Sequence, residues 1–206
     1  MYRFFVILII GIFNVFNGKP HVIGKDKLPE QPVIYAISHR SAFDPFYIAM
    51  ITHPREISFI AKESLFSNKL FAWILTSAHV FPVNRENPSP KVLKKAINVI
   101  KKEHMNLGIF PSGSRYSTEI KSGTALIHKM SQADIVPITI QPPMNLKEFF
   151  SRKKAKIAIG QSIQYNPGIK YDRHQLSIID KQIELAFDQL DKQLDPDFVY
   201  NPEPKK

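Results

Sequence analysis

The 206-residue chain contains no cysteine. This removes disulfides, thiolate metal sites and cysteine nucleophiles together, and with them any sign of an oxidising compartment. Acidic residues are in deficit: 18 Asp and Glu stand against 28 Lys and Arg, a net charge of +10. That surplus favours an anionic partner, whether nucleic acid, a phosphorylated metabolite or an anionic membrane surface. Internal repeats and low-complexity linkers are missing, and the length suits one compact domain. A long apolar run is missing too. The most apolar stretch, Phe4 to Phe16 in "MYRFFVILIIGIFNVFNGK", makes a helix about 20 Å long, short of the ~30 Å hydrocarbon core. Asn14 and Asn17 argue against its deep burial, and no small-residue cleavage site follows it. Residues 1–19 are therefore read as an uncleaved anchor lying in, or partly through, one leaflet. The alternatives are a signal peptide and a core helix or strand. Residues 20–194 form the domain, and 195–206 ("DPDFVYNPEPKK"), without periodicity, read as a flexible tail.

What is present is an alternation of short apolar runs and amphipathic stretches. "PVIYAIS" (32–38), "EISFIA" (56–61), "HVFPV" (79–83), "LGIFP" (107–111), "IVPITI" (135–140) and "KIAIGQSI" (156–163) read as buried strands. Helices are expected at 45–51, 68–78, from Ser89-Pro90 to near Asn106, at 122–134 and at 175–194. "KVLKKAINVIKKEH" places Val92, Leu93, Ala96, Ile97 and Ile100 on one face and lysines on the other, so those lysines need only be a solvated face. No aromatic-basic interleaving on a strand platform supports nucleic-acid binding. The expected fold is α/β: one domain with a mixed, largely parallel sheet flanked by helices, preceded by the short apolar membrane-contact segment.

In such sheets chemistry gathers in the loops beyond strand ends. Three loops stand out. In "SHRSAFDPF" (38–46), one continuous helix would put His39 and Asp44 about 500° apart, on different faces. A turn at 40–42 followed by a helix starting at Asp44-Pro45 lets them meet. Asp44 then reads either as a helix N-cap or as the partner that orients an imidazole base. In "VNRE" (83–86), Arg85 follows a strand. In "IFPSGSRYS" (109–117), Gly113 permits a sharp turn ringed by donors from Ser112, Ser114, Arg115 and Ser117. This loop is a candidate anion cradle or simply a polar turn. It has neither nucleotide P-loop spacing nor a Gly-x-Ser-x-Gly elbow.

Taken in order, these stretches resemble the glycerolipid acyltransferase family. Its His-x4-Asp block is matched by His39 and Asp44, with the small Ser41 between them. Its strand ending in arginine is matched by "HVFPVNR" with Arg85, its Phe-Pro-Glu-Gly-Thr-Arg block by "FPSGSR" (110–115), and its Val-Pro block by "IVPITI" with Pro137. "FIAKESLF", with Lys62, and "KSG" (121–123) also fit, and the likeness spans roughly residues 30 to 140. There are departures. Ser112 stands where the family has glutamate, Ser114 replaces threonine, and His79 stands where glycine is common.

The resemblance implies direct acyl transfer from a thioester of coenzyme A or acyl carrier protein to the free hydroxyl of 1-acylglycerol 3-phosphate or a related lysophospholipid. His39 would be the general base and Asp44 its orienting partner. Arg85, Arg115 and Lys62 would hold the substrate phosphate, with loop donors from Ser112, Gly113 and Ser114. No cofactor and no metal are implied. Glycerol 3-phosphate as acceptor, another lysophospholipid, and an inactive lipid-binding relative are the alternatives. The expected setting is the cytoplasmic face of a membrane with an anionic surface. The apolar N-terminus and "NLKEFFSRKKAK" (145–156), where Phe149 and Phe150 adjoin a basic run, are candidates for membrane contact.

Overall fold

The computed structural model describes residues 1–85, 87 and 89–202. Its elements run α1 (Tyr2–Phe16), β1 (His21–Ile23), β2 (Ile34–Ile37), α2 (Asp44–Thr52), β3 (Ile57–Lys62), α3 (Lys69–Ser77), β4 (Val80–Val83), α4 (Pro90–Lys101), β5 (Asn106–Ile109), α5 (Gly123–Ser131), β6 (Ile135–Gln141), α6 (Leu146–Phe150), β7 (Lys156–Ile159) and α7 (Arg173–Leu194). The described strands form one sheet in the order β1-β7-β6-β2-β5-β3-β4. All neighbouring pairs are parallel except β6 with β7.

Alternation along β2 shows how both faces are filled. Tyr35 and Ile37 point to one side and Ile34 and Ala36 to the other, all fully buried. The first side is covered by α1, α2 and α6, through Val6, Phe13, Tyr47, Ile48 and Phe149. The second is covered by α4, α5 and α7, through Ala96, Val99, Ile100, Ala125, Ile127, Ile179 and Ile183. The short apolar runs are therefore strands buried on both faces, as a parallel sheet requires.

The N-terminal stretch is a helix with two faces. Tyr2, Val6 and Phe13 fall on one stripe and pack into the domain, while Phe4, Ile7, Leu8, Ile12, Val15 and Phe16 are exposed. Contrary to the expectation for Asn17, that residue is fully buried, and it is also fully partnered. Its Nδ2 donates to the carbonyls of Phe149 (2.9 Å) and Lys153 (3.0 Å), and its Oδ1 accepts from the Tyr47 hydroxyl (2.6 Å). A buried amide with its bonds made costs little, so it locks α1 to α2 and α6. Phe149 likewise is buried among Phe13 and Phe43, and only Phe150 of that pair is exposed. Among the described residues no helix is long and apolar enough to cross a membrane.

Three further differences from the sequence reading have local causes. β1 is three residues long and borrows its place from β7, so it carries no periodic signal. The strand expected over 156–163 ends at Ile159. Gly160 follows it, with Pro137 so near that a Cβ would crowd its ring. The strand expected from His79 opens at Val80, because His79 has φ +59°, the left-handed backbone that glycine adopts without strain.

Candidate active site

The parallel strands β2, β3, β4 and β5 end on the same sheet edge, and each delivers one of the anticipated residues. β2 runs into His39, β3 ends in Lys62, β4 runs towards Arg85 and β5 leads into the 110–115 loop.

The His39–Asp44 pair is built by the loop between them. His39 Nδ1 lies 2.9 Å from Asp44 Oδ2, with side-chain exposures of 11% and 0%. The same oxygen accepts the N–H groups of Arg40 (2.7 Å) and Ser41 (2.8 Å). Asp44 is therefore not the N-cap of α2. The helix starts on Asp44 itself, Phe43 takes the cap position without a side-chain bond, and Pro45 fits the first turn. The carboxylate is spent backwards, on the loop. Its Oδ1 is buried with no partner. A carboxylate on Nδ1 fixes the Nδ1–H tautomer and leaves Nε2 as the basic nitrogen. Among the described residues nothing bonds His39 Nε2. The ring stacks on Phe110 (centroids 4.1 Å, 26°), and Phe110 stacks on Phe59 (6.1 Å). Gly108 makes room for that stack, since a Cβ there would overlap the Phe59 ring.

The second cluster is cationic. Arg85 is exposed by area, yet enough protein surrounds its guanidinium for desolvation to be the larger cause that lowers its pKa. The neighbouring Arg115 charge is the second. Two arginines are thus held close enough to repel. Among the described residues neither has a carboxylate within ion-pair distance. Unpaired like charges at one place are costly unless an anion joins them, and the planar fork of arginine suits phosphate oxygens. Lys62 is exposed on the same edge, its backbone beside Val83 of β4, and makes no ion pair among the described residues.

The loop donors divide. Gly113 has φ +69°, and its N–H, anticipated as a ligand donor, is already given to the Phe110 carbonyl at 2.8 Å. The Ser112 hydroxyl is buried and donates to the Ser114 carbonyl at 2.8 Å. Ser114 Oγ accepts from Tyr116 N–H (3.1 Å), so its own proton stays available. The N–H groups of Ser114 and Arg115 have no acceptor among the described residues. These two donors lie next to Gly113 in the loop and are open to an anion.

Sequence reasoning missed Arg40. It is buried in the His39–Asp44 loop and forms a two-pronged pair with Asp191 of α7. The partners are 151 residues apart, and no local pattern announces them. Among the described residues no group of three His, Asp or Glu side chains is placed to hold a metal ion.

The family model described as "Acyltransferase" matches residues 19–141, more than half of the chain and all four of these strand ends. The chain is 37% identical over 188 residues to the 1-acyl-sn-glycerol-3-phosphate acyltransferase of Streptococcus pneumoniae, covering 90% of this chain and 71% of that one. It is 34% identical to the protein of the same name from Bacillus subtilis, covering 79% and 82%. Its fold matches the crystal structure of the 1-acyl-sn-glycerophosphate (LPA) acyltransferase PlsC of Thermotoga maritima. That match has a TM-score of 0.73 at 18% identity, over 97% of this chain and 81% of that one.

Proposed function

The chain belongs to the acyltransferase family, and from that premise we propose that it acylates the free hydroxyl of 1-acylglycerol 3-phosphate with His39 as general base. It is an O-acyltransferase, and the product of this acceptor is phosphatidic acid. The observation that carries the assignment of roles is the juxtaposition on one sheet edge. An imidazole whose Nδ1 is held by Asp44 and whose Nε2 is unbonded shares that edge with two unpaired arginines.

The acceptor phosphate lies between Arg85 and Arg115, with Lys62 as a third cation. His39 Nε2 takes the proton of the acceptor hydroxyl. The oxygen attacks the thioester carbonyl carbon, and the tetrahedral intermediate collapses with cleavage of the C–S bond. The imidazolium returns its proton to the departing thiolate. Asp44 supports the charge His39 carries between the two transfers, and no acyl-enzyme forms. The open N–H groups of Ser114 and Arg115 donate either to the phosphate or to the developing oxyanion. The donor is a thioester of coenzyme A or acyl carrier protein.

The reading extends to where the enzyme works. Its acceptor and product are amphiphiles, and the exposed face of α1 joins two other apolar surfaces. At one end Phe5 meets Trp73 of α3 edge-on (6.1 Å), and at the other Phe16 meets Phe150 (5.5 Å). α3 is capped by Asn68, is rich in apolar residues and buries none of them, with Leu70 66% and Trp73 52% exposed. Arg3, Lys69, Arg152, Lys153 and Lys154 flank these surfaces. The enzyme therefore docks as a monotopic protein on an anionic, cytoplasmic membrane face, with α1 and α3 in the interface.

The test is a matrix of acceptors (lysophosphatidic acid, glycerol 3-phosphate, other lysophospholipids, monoacylglycerol) against both thioesters, scored for acylated product. Phosphatidic acid formed from lysophosphatidic acid, with monoacylglycerol much poorer, is the expected result. Equal use of monoacylglycerol would remove the phosphate from the reading.

A further inference from the structure

Arg40 sits between the base and its carboxylate, yet its side chain serves another end of the molecule. Its Nη1 donates to the Ile140 carbonyl and to Asp191 Oδ1, each at 2.7 Å, and its Nη2 donates to Asp191 Oδ2. Gln141 Nε2 also donates to Asp191, at Oδ1 (3.1 Å) and at the carbonyl (3.2 Å). This fork ties the His39 loop to the C-terminal end of α7.

The residues after α7 then cover it. Asp195 is held by Lys156 of β7 at 2.9 Å, and the Phe198 N–H closes a turn on the Asp195 carbonyl. The Phe198 ring lies 4.8 Å from the Arg40 guanidinium carbon, and the Tyr200 ring 5.4 Å. Tyr200 reaches further, and its hydroxyl donates to the carbonyl of Arg115 at 2.5 Å. One short segment thus touches the loop that carries the base and the loop that carries a phosphate cation.

The turn at 110–115 holds its own shape without Tyr200. Gly113 N–H to Phe110, Lys121 N–H to Pro111 and the Ser112 hydroxyl to Ser114 close it internally. What the Tyr200 hydroxyl adds is a fix on the peptide of Arg115, and so on the direction its side chain leaves the loop.

We infer that residues 195–200 form a strap in which Tyr200 positions Arg115 for the acceptor phosphate, while Phe198 and the Tyr200 ring hold Arg40 and with it the His39 loop. The inference rests on the assignment of Arg115 to the acceptor phosphate. It makes Tyr200 a positioning residue that acts on acceptor capture more than on the proton transfer.

The experiment uses the full chain. Tyr200→Phe keeps the ring over Arg40 and removes only the hydroxyl. At saturating thioester, its KM for lysophosphatidic acid rises about threefold to tenfold, the size of one lost hydrogen bond, while kcat and the thioester KM stay within about twofold. In an Arg115→Ala background the same substitution has no further effect on the acceptor KM, because Tyr200 acts through the Arg115 side chain that is then missing. An unchanged acceptor KM in Tyr200→Phe, with a raised one in Arg115→Ala, overturns the strap and leaves the phosphate assignment standing. An unchanged acceptor KM in Arg115→Ala overturns both. A matched fall in kcat for either substrate together with a lower unfolding temperature makes Tyr200 merely structural, and that also overturns the strap.

Discussion

Two charged groups share one edge of the sheet and are built in opposite ways. Around His39 and Asp44, one carboxylate oxygen gathers the partners. The carboxylate takes three donors on one oxygen, and the imidazole is walled by Phe110. Around Arg85 and Arg115, the Arg115 charge helps lower the Arg85 pKa, and neither arginine has a counter-ion among the described residues. Acid–base chemistry needs an imidazole fixed to within fractions of an ångström, so its surroundings are finished before substrate arrives. The proposed phosphate site does the reverse. Its cations stay unsatisfied until the ligand itself completes the pairing.

Breaking the finished half has the larger effect. His39→Ala lowers kcat by about 10²- to 10⁴-fold with the fold intact, since it removes the proton acceptor. Asp44 separates chemistry from stability. Asp44→Asn keeps an oxygen for the Arg40 and Ser41 N–H groups, so its loss is in kcat alone. Asp44→Ala strands those buried donors at roughly 1–3 kcal/mol each and lowers the unfolding temperature as well. Steady-state kinetics paired with thermal unfolding read both effects. Near-normal turnover of His39→Ala would remove the base from the mechanism.

The unfinished half breaks differently. Arg85→Ala or Arg115→Ala raises the acceptor KM about tenfold to a hundredfold, the loss of charge-assisted bonds to a phosphate. Each also relieves the repulsion in the free enzyme, so neither lowers the unfolding temperature. A raised KM for the thioester alone would mean that the two substrates have been assigned to each other's sites.

The two halves were unequally legible in the sequence. His39 and Asp44 are joined by a five-residue step, and a turn before a proline-started helix is enough to bring them together. The shared edge followed from parallel strands. Spacing left Asp44 open between a helix cap and the imidazole's partner, and the folded loop shows its oxygen on His39 and turned back on Arg40 and Ser41. Nor could spacing show that the Gly113 N–H is consumed inside its own turn, that Phe149 faces inward while Phe150 faces out, or that Asn17 finds three partners. Each depends on atoms supplied from far along the chain. The Arg40–Asp191 fork is the extreme case.

α1 repeats the contrast within one helix, with a finished inner face and an open outer one. Removing residues 1–19 would strip Tyr2, Val6 and Phe13 from the core, so loss of membrane binding there would be confounded by unfolding. Outer-face substitutions avoid this. Phe4→Ser together with Trp73→Ser lowers partitioning onto anionic vesicles by about tenfold or more, from the apolar area withdrawn, and leaves the unfolding temperature unchanged. Added salt weakens the remaining binding, since exposed charges are screened beyond about 10 Å at 0.1 M. Undiminished partitioning of the double variant moves the docking surface elsewhere.

The smallest effect comes from a second aspartate that shares a buried, unpartnered Oδ1 with Asp44 but has no donor on its other oxygen among the described residues. Asp180, half-buried on α7, has an Oδ1 shut away from water without a partner, and desolvation raises its pKa from 3.8 to about 6. The folded state therefore holds this proton more tightly than the unfolded chain does. Stability is fully present below about pH 4, falls as pH rises towards 6, and stays reduced above that. The carboxyl remains partly open to water, which discounts the loss to about 1 kcal/mol or less. Asp180→Asn carries no charge to desolvate. Its unfolding temperature should exceed that of the parent by about 2–4 °C at pH 7.5 and match it at pH 4. A gain of equal size at both pH values would mean that the asparagine stabilises by some means other than the missing charge. No gain at either would mean that Asp180 is better solvated, or better partnered, than its buried oxygen implies.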